Sequence, residues 1–82
     1  MTRFDDLWSG SAQSALGALA PMVRDQVEAL VRRVCADPLG PGTVGAPDRE
    51  RTRMARSGRL TVYFQVDEIG ELVYVTGIDT GG

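Results

Sequence analysis

Eighty-two residues allow one small core, and 43% hydrophobic against 24% charged residues is the balance of a folded globular domain. With no histidine, no lysine and one cysteine, a Ser-His-Asp arrangement, imidazole metal ligation, a P-loop, Schiff-base chemistry and a structural zinc site are all excluded. The net charge of −2 conceals a polarised chain: residues 49–59 carry five arginines against Glu50, a net of +4, and the remainder has four arginines against ten acids, or −6.

Nothing in this composition calls for a metal or a cofactor. No apolar run approaches the ~18–20 residues a membrane span needs. The first ten residues contain acids where a secretory signal places basic residues. A single thiol, Cys35, agrees with a reducing compartment, so a cytoplasmic location is expected. Cys35 itself reads as a small packed hydrophobe on the last turn of a helix.

In chain order, residues 2–9, with Phe4, Leu7 and Trp8, predict a first strand. Trp8 suits either the end of a core or a stacked base. Ser9 or Ser11 is placed to cap a helix over residues 11–19, whose apolar positions Ala12, Ala15, Leu16 and Leu19 recur at helical spacing. Pro21 opens a second helix, with a stripe of Val23, Val27, Leu30, Val31 and Val34, which ends before Asp37 because Pro38 follows. Residues 37–48 hold three prolines and three glycines in twelve positions and predict a loop.

Residues 50–55 predict the next strand, with Arg51 and Arg53 alternating against Thr52 and Met54. A turn at Ser57 and Gly58 leads into residues 60–67, where Leu60, Val62, Phe64 and Val66 alternate with Thr61, Tyr63, Gln65 and Asp67. Residues 68–71 form a turn in which Gly70 can take a positive φ, and residues 72–75 return as the last strand. The glycine-rich end is expected to add little order beyond Ile78.

The expected order is β-α-α-β-β-β. It gives a single α+β domain over residues 1–82, ordered from about 4 to 78, with a two-helix hairpin on one face of a mostly antiparallel sheet. The opposite face would carry Arg51, Arg53, Thr61, Tyr63 and Gln65. A cationic open face of this kind suits an anionic partner.

The pattern A..AL..L.P..R..V..LV, then DP, R.R, a short turn and LTVYFQVDE.GELVYV resembles the RelE/ParE toxin superfamily of bacterial toxin–antitoxin modules, over about residues 4 to 78. The resemblance implies a concave basic sheet, a cognate antitoxin protein as partner, and no cofactor. It also implies one of two targets: messenger RNA on the ribosome, for an endoribonuclease, or DNA gyrase, for a ParE-like member. Arg51 and Arg53 match the basic pair that grips RNA phosphate. Arg49, Arg56 and Arg59 would extend the RNA-binding surface, and Arg51, Arg53, Arg59 and Tyr63 form the candidate catalytic set. Thr61 stands where the family usually has an arginine, with Arg59 two residues before it as the substitute. No basic residue follows Arg59. Cleavage by 2′-hydroxyl attack needs a base as well as positive charge, and Tyr63 or Tyr74 is all the strands offer. Salt-sensitive RNA or ribosome binding, with slow cutting or none, is therefore expected. The alternatives are a non-catalytic member that binds an antitoxin-like peptide or RNA, or a small interaction domain that uses its basic face for protein contacts.

Overall fold

The computed structural model describes residues 3–81, so Thr2 of the expected first strand lies outside the described residues. Seven elements follow in order: β1 (Asp5–Trp8), α1 (Gly10–Gly17), α2 (Pro21–Ala36), β2 (Thr43–Gly45), β3 (Arg53–Ser57), β4 (Leu60–Asp67) and β5 (Leu72–Asp79).

Local chemistry explains most of these boundaries. Ser9 caps α1, its Oγ accepting from the Ala12 N–H at 3.1 Å. The helix spans Gly10–Gly17 instead of the expected 11–19, so Gly17 is its last residue and costs the helix interior nothing. Of its anticipated stripe, Ala12 is buried and Leu16 and Leu19 are partly so, while Ala15 is exposed. Pro21 occupies the first turn of α2, which buries Val27, Leu30, Val31, Val34 and Cys35 and stops at Ala36 as anticipated.

The sheet order is β1-β5-β4-β3-β2, antiparallel throughout except that β1 lies parallel to β5. Strand β2 was not anticipated. It arises inside the proline- and glycine-rich loop, where three residues suffice to extend the sheet beside β3. Strand β3 begins at Arg53, later than expected, and runs on to Ser57.

The β3–β4 hairpin turns through Gly58 and Arg59 between the paired residues Ser57 and Leu60, with Gly58 at φ 59°. Glycine at the first central position is what a tight turn between twisted strands requires. In the β4–β5 turn Glu71, not Gly70, takes the positive φ, at 55°. There the Gly70 N–H donates to Asp67 Oδ1 at 3.0 Å, a side-chain-closed turn that moves the left-handed position one residue on. Strand β5 continues to Asp79, beyond the expected Val75.

Both helices share one apolar cluster with the sheet. Leu60, Val62 and Phe64 of β4, Val73 and Val75 of β5 and Ala55 of β3 meet Ala12 of α1 and the buried stripe of α2. Phe64 is the largest side chain with essentially no exposed surface. Trp8 packs against the edge of this cluster, in the core-end role, and its Nε1–H donates to Asp6 Oδ2 at 2.6 Å.

Candidate nucleic-acid interface

Strand register decides which side chains reach the open face. Directly opposed residues in a ladder share a face. Met54, Tyr63 and Gly77 form one row across β3, β4 and β5, and Arg56, Thr61 and Asp79 form the next. Arg53 is opposite the buried Phe64, and Ala55 opposite the buried Val62. Arg53 is therefore on the helix side of the sheet and not, as expected, on the open face. There its Nη2 donates to Thr43 Oγ1 at 2.8 Å and to the Thr43 carbonyl at 3.0 Å, tying β2 to β3.

The other expected positions divide as sharply. Arg51 precedes β3 in the loop after β2, exposed and with φ 57°, so it is not a strand residue. Arg59 lies in the β3–β4 turn and lines a separate cavity with Val23, Gln26 and Thr80. It does not stand beside Thr61, which is buried between Arg56 and Asp79 in the register.

The structure brings together Arg49, Arg56 and Tyr63. They line an open cleft of about 340 Å³ with Ala46, Pro47, Asp48 and Met54. Residues 46–52 connect β2 to β3 as a folded loop. The Ala46 N–H donates to the Thr52 carbonyl at 2.8 Å, and the Thr52 N–H to the Arg49 carbonyl at 3.4 Å. From this loop the Arg49 side chain folds back over the sheet, its guanidinium carbon 3.8 Å from the centroid of the Tyr63 ring. That distance is well inside the range of a cation–π contact. A bulge sits beside Tyr63: Tyr63 pairs with Gly77 but Phe64 with Val75, leaving Thr76 as the extra residue. Bulges re-aim side chains next to functional surfaces.

Chemically, the cleft offers two permanent cations, one aromatic face and one carboxylate. Guanidinium groups pair with phosphate oxygens in two-point fashion and keep their charge at physiological pH. Asp48 was not singled out from the sequence, where it is only the last residue of the proline- and glycine-rich loop. It is the cleft's one carboxylate. Tyr74 is also on the open face, one row away, opposite Gln65. Among the described residues no group of three or more His, Cys, Asp or Glu side chains could hold a metal ion, and no helix is long and apolar enough to cross a membrane.

No family model matches the sequence, and no curated protein sequence does. Solved structures do match. The RelBE2 toxin–antitoxin complex of Mycobacterium tuberculosis superposes with a TM-score of 0.85 at 21% identity, over 96% of this chain and 92% of that one. The isolated RelE toxin of E. coli gives 0.80 at 14% identity, over 99% of this chain and 86% of that chain. An archaeal RelE–RelB complex from Pyrococcus horikoshii gives 0.77 at 12% identity, over 99% and 98% of the two chains. The agreement spans nearly the whole of each molecule, helical hairpin and sheet alike, and the chain has the fold of the RelE toxins.

Proposed function

We propose that this protein is a RelE-type toxin, held by a cognate antitoxin in the cytoplasm, that binds RNA on the ribosome through the open face of its sheet. The observation that carries the reading is the cleft of Arg49, Arg56 and Tyr63 on the open face of a RelE fold. Neighbours of the same fold were solved as toxin–antitoxin complexes, which supports an antitoxin partner. A single strand crossing the cleft would set a phosphate between Arg49 and Arg56, with a base against the apolar rim of Met54 and Tyr63. Of the expected RNA-binding residues, Arg49 and Arg56 make this contact. Arg51 and Arg59 add charge at its margins, and Arg53 serves the fold.

Cutting requires a base to take the 2′-hydroxyl proton and charge to stabilise the phosphorane. Asp48 takes the 2′-hydroxyl proton, and the 2′-oxygen bonds to phosphorus as the bond to the 5′-oxygen breaks. Water protonates that leaving oxygen, and Arg56 stabilises the phosphorane, with Tyr63 orienting Arg49. No basic residue follows Arg59, so the last strand brings no further cation to the cleft and cleavage is slow. Losing one such stabilising group typically costs about 10²–10³ in rate.

The test has two arms. Induced expression should arrest growth, and co-expression of the neighbouring antitoxin should relieve the arrest. Purified protein mixed with programmed ribosomes should bind them in a salt-sensitive way and cut the message in the A site slowly. Arrest with gyrase inhibited and ribosomes untouched would replace this reading by the ParE-like one. Arrest absent, with no binding to ribosome or RNA, would leave a protein-interaction domain.

A further inference from the structure

Strand glycines often mark a close approach by another group, and Gly77 is one. It sits mid-strand in β5, opposite Tyr63, at a backbone conformation that does not itself demand glycine. A Cβ built there would lie 3.1 Å from Arg49 Nη1, and only 3.5 Å from Tyr63 Cδ2. The first contact is tighter than carbon and nitrogen comfortably allow, while the second is ordinary. The missing side chain thus leaves room for one thing in particular, the end of the Arg49 guanidinium.

Two further features converge on the same spot. The extra residue at Thr76 shifts the register so that Gly77, rather than Thr76, stands opposite Tyr63. The Thr76 hydroxyl also donates to the Tyr63 carbonyl at 3.4 Å, holding the bulge against β4. Without that shift a threonine would occupy the position where Arg49 reaches.

We propose that Gly77 is a positioning residue: the bulge and the bare strand position together form a bay in which the guanidinium of the loop residue Arg49 rests over the Tyr63 ring, so that a loop arginine supplies the cation the last strand lacks. This rests on the RNA-binding reading for its purpose but not for its geometry. A guanidinium fixed in place loses less freedom when it pairs with phosphate than one waving from a loop.

Gly77→Ala tests it, because the substitution adds one methyl group at an allowed backbone conformation against the flexible end of a side chain. With the Arg49 guanidinium carbon 3.8 Å from the Tyr63 ring centroid, the adjoining δ-methylene protons should show an upfield ring-current shift by NMR that vanishes in Tyr63→Leu. That shift should shrink in Gly77→Ala, while the core methyl resonances stay in place. Binding of a labelled, unstructured single-stranded RNA should weaken about three- to tenfold. Gly77→Ala should add nothing to the loss caused by Arg49→Ala, and Arg49→Lys should fail to restore affinity. A ring-current shift unchanged in Gly77→Ala, or affinity losses that add in full in the double variant, would overturn the proposal. If the wild-type protein binds no RNA yet the shift shrinks in Gly77→Ala, the positioning stands and the functional reading falls.

Discussion

Arg53 and Thr43 are joined at three points, Arg53 Nη2 to the Thr43 hydroxyl and carbonyl and Arg53 Nε to the hydroxyl at 3.2 Å. The hydroxyl itself donates back to the Pro38 carbonyl at 2.9 Å. One arginine thereby fastens a three-residue edge strand and the start of a loop to the body of the sheet. Arg53→Ala should lower stability by ~1–3 kcal/mol, since the lost bonds are charge-assisted and leave buried acceptors behind. Arg53→Lys should recover only part of that, because an ammonium cannot span both acceptors in a fork. Urea unfolding of the variants measures it. RNA affinity that collapses while stability is unchanged would put Arg53 in the binding site after all.

Arg49→Ala and Arg56→Ala should each weaken ribosome or RNA binding more than Arg51→Ala does. Each should also reduce the slope of log affinity against log salt by about one. Titrations at several salt concentrations give the slopes directly. Equal slopes for all three variants would mean that the charge acts only as a diffuse field.

Asp48→Asn separates binding from cutting. The change removes the cleft's carboxylate and one negative charge, so affinity for RNA should hold or rise. Residual message cleavage should fall by about 10²–10⁴, the usual contribution of a general base. Cleavage that persists in Asp48→Asn and disappears in Tyr63→Phe would hand the role to the phenol.

Cys35 is 1% exposed, and burial, aided by the nearby negative charge of Asp6, raises its thiol above the ordinary value of 9.0. The folded protein therefore holds that proton to higher pH than the unfolded chain does. Its stabilising contribution is complete below the ordinary thiol range and is lost as pH climbs through the raised value. Alkylation of the native protein by iodoacetamide should be slow at neutral pH and become fast only on unfolding. Stability should decline on the alkaline side, and less so in Cys35→Ala once the two are compared at matched reference pH.

Phe64→Ala should cost about 3–5 kcal/mol and Leu30→Ala about 2–5, because both side chains are fully enclosed where α2 meets β4. For a domain this small either loss is a large share of the total. Thermal unfolding by circular dichroism reads the difference, and a shift of only a degree or two for Phe64→Ala would contradict the packing described.

The periodic parts of the chain were legible because burial on one side writes itself into residue spacing. Val27, Leu30, Val31 and Val34 announced α2, and Leu60, Val62 and Phe64 announced β4 together with its buried face. Strand β2 was not legible, for three residues between prolines and glycines carry no period. The arginines misled in an instructive way. Arg51 and Arg53 look like alternate residues of one strand, but the strand starts at Arg53 and puts it on the same face as Ala55, whose small side chain fits beneath α2. The burial of Ala55 was the signal, and the run of charge obscured it. Arg49 reaches Tyr63 only through the fold of its loop, so no local pattern could show that pairing. Gly77 gave no sign of it either, because the last strand was expected to end at Val75 and Gly77 read as part of the glycine-rich end.

Parallel pairing of β1 with β5 brings the outermost strands of the sequence together, Asp5 beside Leu72 and Trp8 beside Val75. On a nascent chain β1 emerges first and has no partner until β5 follows. The two helices and the β3–β4 hairpin can gather earlier from neighbours in sequence, but β5 supplies both the bay at Gly77 and the seat for β1. Closure of the sheet and formation of the bay at Gly77 are thus the same late event, and they depend on the contacts of longest sequence separation, which form slowly. A chain interrupted before Val75 would carry every residue that lines the cleft, yet neither the glycine bay that receives Arg49 nor a complete seat for β1.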